Sequence, residues 1–167
     1  MNVLEKNGYA ISDINRDMLK IAVIERYSGK SGMAKGFVTG FGLSKGAIAS
    51  TVAHDSHNII VVGTNDNDMI FAVKAVKHMG GGFAVVCERK LLASLALPVA
   101  GLMSHEPLEQ VNILMKKVVE AAQSLGSKLH DPFMTLGFLA LPVIPSLKIT
   151  DRGLVDVEKF QLVELFV

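Results

Sequence analysis

LKIAVIERY, at residues 19–27, sets Leu19, Ile21 and Val23 against Lys20, Ala22 and Ile24. A two-residue period of this kind places one set on each face of an extended strand. GMAKG then reads as a turn, KGFVTGFG (residues 35–42) as a glycine-loosened strand and LSKG as another turn. GAIASTVAH and NIIVVG supply two more strands. Four strands with such short connections predict an antiparallel sheet or meander. Beyond residue 63 the period becomes helical. NDNDMIFAVKAVKHMGGG opens with capping Asn and Asp, carries Met69, Val73, Val76 and Met79 along one side, and leaves through Gly80, Gly81 and Gly82. The clearest stripe is Leu108, Val111, Met115, Val118, Ala122 and Leu125, spaced three, four, three, four, three. Ser104 is its expected cap, Pro107 falls in its first turn and Gly126 stops it. DPFMTLGFLALPVIP adds a helix started by Asp131 and Pro132 and closed by Pro142 and Pro145. GFAVVCERK and LLASLAL read as a hairpin, and LKITDRGLVDV and KFQLVELFV as short strands. The sum predicts an α+β fold, a mostly antiparallel sheet with helices packed mainly on one face. IIVVGTNDND…GGGFAVV leaves a single βαβ crossover open as an alternative connection. No linker or repeat divides residues 1–167, and a single domain is expected.

Half of the residues are apolar and a fifth are charged, a balance that suits one packed core and argues against disorder. The 17 basic and 16 acidic side chains, net +1, are spread along the chain without a basic stripe, and aromatics are few. No nucleic-acid surface is expected. The apolar runs LLASLALPVAGLM and GFLALPVIPSL fall short of the ~20 residues of a spanning helix and contain proline, so they read as core and no membrane association is expected. The opening MNVLEKNGYAISDINRD lacks the apolar segment of an export signal. The single Cys87 excludes an internal disulfide, which suits a reducing, cytoplasmic setting.

One stretch breaks the pattern. Between two segments fit for burial, GAIAS and IIVV, the chain places His54, Asp55, Ser56, His57 and Asn58 in succession. Two imidazoles and a carboxylate could hold a divalent cation with a further ligand from elsewhere. They could equally face a substrate, or shape a turn through Asx bonds to their own backbone. Other chemistry is thin. A zinc deaminase needs two close cysteines beside its His-x-Glu, and only Cys87 is present. GTNDND follows a strand and opens a helix, yet it has neither phosphate-loop pattern, and Asp66 and Asp68 would repel an anion, so capping is expected. Cys87, beside Phe83, Val85 and Val86, reads as a buried thiol. His78, near a helix end, suits the helix dipole, and His105 and His130 show no partner. No GxSxG elbow occurs. From the residues alone the chain offers part of a site and no complete catalytic set.

KGFVTGFGLSKGAIASTVAHDSHNIIVVGTND, LALPVAGLMSHEP and DPFMTLGFLALPVIPSLKITDRGLVDV resemble the C-terminal domain of bacterial adenine deaminases, over residues 19–157. Thr51 and Gly137 stand where serine is more usual in that pattern. The resemblance implies an enzyme of the amidohydrolase superfamily that hydrolyses adenine to hypoxanthine and ammonia in purine salvage, with manganese or iron held by a barrel through His-x-His and further ligands. This chain has no His-x-His and no eightfold strand–helix repetition. The expected partner is therefore that barrel, and no cofactor and no catalytic residue are expected in the present segment. Residues 54–58 are the candidate substrate-side loop, helping to wall or close the barrel's active site, and the isolated segment is expected to be inactive. A free-standing purine-binding module or an assembly module, forming a homo-oligomer through its apolar face, is the alternative.

Overall fold

The structure, a computed structural model, describes residues 3–29 and 32–166. In chain order its elements are β1 (Leu4–Lys6), β2 (Tyr9–Ile11), a 3-10 turn (Ile14–Arg16), β3 (Leu19–Ile24), β4 (Met33–Val38), β5 (Ala47–Ser50), β6 (Ile59–Gly63), α1 (Asp66–His78), β7 (Gly82–Cys87), β8 (Lys90–Ala96), α2 (Leu108–Ser124), α3 (Pro132–Phe138), β9 (Leu147–Thr150), β10 (Gly153–Asp156) and β11 (Gln161–Val163). Six strands form one sheet in the order β4-β3-β6-β5-β7-β8, antiparallel at every pairing. The α+β class stands. The simple meander does not, because β6 inserts between β3 and β5. Burial explains the order: all residues of β5, β6 and β7 are buried, so these strands need cover on both faces and take the centre. β4 and β8, each with exposed residues, take the edges. Because β6 and β7 both run against β5, they are parallel to one another, and α1 carries the chain over β5. The βαβ crossover is real but split by an antiparallel strand.

The period-2 pattern divides the core in two. Ile21, Ile48, Ile60, Val62, Val85 and Leu95 face Val118 and Ala122 of α2 and Phe133 and Leu136 of α3. Ala22, Ala47, Ala49, Val61 and Ala84 face Met69, Ala72 and Val76 of α1, where the alanines let the helix lie close. Two of the three helices thus share one face, and α1 covers the other. Ile149 of β9 and Leu154 of β10 pack beside Gly36 on the face of α2 and α3.

Local departures have local causes. GMAKG is strand from Met33 onward, because the chain reverses earlier: the Glu25 carboxylate accepts from the Tyr27 and Ser28 amides, and the Glu25 amide donates to the Gly32 carbonyl. The strand read over residues 35–42 ends at Val38, where the Asp17 carboxylate captures the Gly40 and Gly42 amides at 2.7 and 2.8 Å. Ser104 does not cap α2. Its hydroxyl accepts from the Glu106 amide, Pro107 is the N-cap, and Leu108 is 78% exposed, so the buried stripe is its C-terminal half. Asp131 caps α3 as expected, accepting from the Phe133 and Met134 amides. The helix ends at Phe138, before either proline.

Candidate functional site

The polar stretch lies at one end of the sheet, between β5 and β6. Thr51 begins the connection. Its buried hydroxyl donates to the Gly101 carbonyl and accepts from the Gly82 amide, both at 2.7 Å, joining this loop to the segment after β8 and to the start of β7. Either serine or threonine supplies that hydroxyl. Gly137 sits where a Cβ would lie 2.6 Å from the Val52 carbonyl oxygen, so α3 lies directly against the loop and has no room there for the more usual serine without a shift.

Beyond Ala53 the backbone turns back, and the His57 amide donates to the Ala53 carbonyl at 2.7 Å. His57 adopts φ 53°, a left-handed conformation that costs a non-glycine residue roughly 1–3 kcal/mol and needs support from its surroundings. Arg26 provides it. Its Nε donates to the His57 carbonyl at 2.7 Å, and its Nη2 donates to the Ala100 carbonyl at 2.5 Å and the Tyr27 hydroxyl at 2.9 Å. The Tyr27 hydroxyl donates to the same His57 carbonyl at 3.2 Å, and the guanidinium stands 4.5 Å from the Tyr27 ring centroid. Gly101, at φ 75°, leaves space for this fork; a Cβ there would lie 2.6 Å from Nη2 and push the guanidinium off its carbonyls.

The five expected residues divide by role. Asn58 is 4% exposed, and its amide donates to Ser56 Oγ at 3.3 Å and to Asp151 Oδ1 at 3.2 Å, which ties the loop to the β9–β10 turn. Asp55 and Ser56 are exposed. His54 and His57 are half-buried, with ring centroids 5.3 Å apart in an edge-on arrangement, and Phe138 of α3 backs His54 at 5.5 Å. His57 Nδ1 and Asn58 Oδ1 are buried without a hydrogen-bond partner among the described residues. Arg26, Tyr27, Thr51, Phe138 and Asp151 complete the cluster, and no local pattern marks them in the sequence. The remaining candidates stay apart. Asn65 caps α1 by accepting from the Asp68 amide, Asp66 pairs with Lys20 at 2.8 Å, and Cys87 is buried. His78, His105 and His130 are exposed.

Burial pushes the His57 imidazole below its ordinary value of 6.5; the charges of His54 and Arg26 act the same way, and Asp55 opposes them. The unfolded chain therefore binds the proton first as pH falls. His57 contributes stability that is present above pH 6.5 and is lost as pH falls from 6.5 through the lowered value. An NMR titration of the imidazole should find its midpoint below 6.5, and His57→Gln should flatten the fall in urea midpoint over that window. A midpoint at or above 6.5 would contradict the burial seen here.

Among the described residues, no group of three or more His, Cys, Asp or Glu side chains is placed to hold a metal ion. The residues present thus do not fit a metal centre. They form a pair of half-buried imidazoles, edge-on to one another, on a loop braced by Arg26, Tyr27 and the Asn58–Asp151 bond.

Comparison with known proteins shows the family of the chain. The chain is 59% identical over 165 residues to an adenine deaminase of Desulfatibacillum aliphaticivorans, covering 99% of this chain and 29% of that protein. It is 53% identical over 161 residues to an adenine deaminase of Oleidesulfovibrio alaskensis, covering 96% and 28%, and 57% identical over 151 residues to one of Brucella abortus, covering 90% and 26%. The chain thus spans less than a third of the length of the curated relatives it matches. Residues 1–161 match the family described as the adenine deaminase C-terminal domain. The match runs over most of the chain, and the chain belongs to that family.

Proposed function

We propose that this segment, as one domain, walls the purine site of an adenine deaminase whose metals are held by a barrel elsewhere in the enzyme, and that residues 54–58 face that site. The observation that carries the reading is the bracing of the loop. Arg26, Tyr27 and the Asn58–Asp151 bond hold it in place, while the two imidazoles stay partly exposed. Polar side chains fixed in this way lose little on binding and hold a substrate in one pose, which is how a wall contributes to rate.

The reaction adds water at C6 of adenine and releases ammonia, leaving hypoxanthine. A manganese or iron ion held by the barrel would supply the activated water, and the described residues of this chain form no group placed to hold one. Their part is orientation and proton exchange at the purine edge. A neutral imidazole both accepts and donates, and the lowering of His57 keeps it neutral near pH 7. Among the described residues no helix is long and apolar enough to cross a membrane, and a cytoplasmic enzyme of purine salvage is the setting we propose.

The test uses the D. aliphaticivorans relative with this chain exchanged for its matching segment. His54→Ala and His57→Ala should each lower kcat/KM for adenine by about tenfold to a hundredfold, with metal content unchanged. Unchanged kinetics in both variants would remove the loop from the site.

A further inference from the structure

We infer that a second feature, an apolar groove on the α1 face of the sheet, is the surface against which the preceding part of a full-length adenine deaminase packs. The inference rests on the family role proposed above, and it concerns a different surface from the polar loop. On the opposite face every strand pair has cover, from α2, α3 or β9–β10. On the α1 face the helix covers β5, β6 and β7, reaches β3 only about Ala22, and stops short of β4. The β3–β4 edge is left as an open groove of about 580 Å³, walled by α1 on one side and by β2 and the C-terminal residues on the other. Ile24, Met33, Phe37 and Val73 line it, with Tyr9 and Phe166 at its margin. Tyr9 is 74% exposed, Phe166 62%, Ile70 54% and Met33 49%, a clustering of apolar exposure that marks an interaction surface.

Two observations select the occupant. The family is named for a C-terminal position, and its relatives carry more than twice this length outside the matched segment, so their additional chain joins ahead of residue 1. The first described strands, β1 and β2, form a hairpin, and Tyr9 and Ala10 of that hairpin are part of the groove wall. A domain covalently joined there is held against the groove at an effective concentration of about millimolar, which a second copy of the chain does not match at ordinary protein concentrations. Lys20, Lys35 and Lys74 line the groove against one carboxylate, Asp66, so the apposed surface should be apolar with an acidic border.

Hydroxyl-radical footprinting compares this chain alone with the D. aliphaticivorans chimera described above. Met33 and Tyr9 should be oxidised readily in the isolated chain and several-fold less in the chimera, whereas Leu92, exposed near the opposite edge of the sheet, should change little. Met33→Glu should restore labelling of Tyr9 in the chimera and leave the melting of the isolated chain unaltered, since Met33 is half exposed. Equal labelling in the two proteins overturns the inference. So does protection in the isolated chain that rises with concentration as its mass doubles, because that identifies a second copy as the occupant. Adenine turnover of the His54 and His57 variants is read separately. Covered Met33 with unaffected turnover removes the loop's role and keeps the surface, and uncovered Met33 with impaired turnover does the reverse.

Discussion

Gly82→Ala should leave the chain unable to reach a stable fold, with soluble yield lost or the melting temperature lowered by ~10 °C or more. Gly82 opens β7 at φ 125°, a region closed to residues with a side chain. A Cβ added there would lie 1.9 Å from the Leu95 carbonyl oxygen and 3.0 Å from the Leu97 amide nitrogen, and both are backbone atoms of the neighbouring strand and its exit. The clash therefore cannot be relieved by turning a side chain. The Gly82 amide also donates to Thr51 Oγ1, and its carbonyl accepts from the Thr51 amide, so displacing it removes two of the hydrogen bonds of Thr51 and leaves its buried hydroxyl only the Gly101 carbonyl. Strain and lost hydrogen bonds together exceed about 4 kcal/mol, a large part of the roughly 5–15 kcal/mol that holds a domain folded. Thermal melting followed by circular dichroism is the measurement. A variant melting within ~2 °C of the parent would mean that β7 and β8 do not approach as described.

Phe133→Ala should cost about 3–5 kcal/mol. Phe133 is 2% exposed and meets Phe83 edge to face, with ring centroids 5.1 Å apart and planes at 70°. That geometry adds about 0.5–1.5 kcal/mol to the area it buries. It is one of the two largest anchors of α3, a helix of only 7 residues with little stability of its own. The loss should therefore reach the site. Phe138 at the end of α3 backs His54, and Gly137 abuts the Val52 carbonyl, so a loosened helix withdraws the support of the polar loop. Urea denaturation gives the global cost, and hydrogen exchange of the His57 amide reads the local one. Phe133→Leu, which keeps most of the volume, should cost far less and leave that amide protected. A loss below about 1 kcal/mol for the alanine variant would refute the anchoring role.

The loop was visible in the sequence because it violates its surroundings. Five consecutive polar residues between strands that are buried on both faces need a reason, and the structure places them in three ways: Asn58 turns inward to Asp151, His54 and His57 are half-buried against one another, and Asp55 and Ser56 are exposed. Its supports were not visible. Arg26 lies 31 positions from His57 and 74 from Ala100, and Asp151 lies 93 from Asn58. Nothing near Arg26 distinguishes it from an ordinary charge following a strand. Ser104 shows the converse error: its local pattern suited a cap, but the chain turned at Glu106 and left the N-cap to Pro107. The glycine triplet after α1 was legible as a helix exit. That Gly82 also accommodates the Leu95 backbone was not, because the neighbour arrives only when β8 folds back.

The division of β3 between its two faces, the caps at Asn65 and Asp131, and the apolar stripe of α2 follow from the sequence by itself, since each depends on residues within about four positions and on which side chains leave water. The strand order, the open groove beside α1 and the bracing of residues 54–58 were decided only by the tertiary structure. They depend on which distant surfaces meet, and closing a long loop costs little more than closing a short one. Packing over the whole sheet therefore chooses among partners that no neighbouring residue can announce.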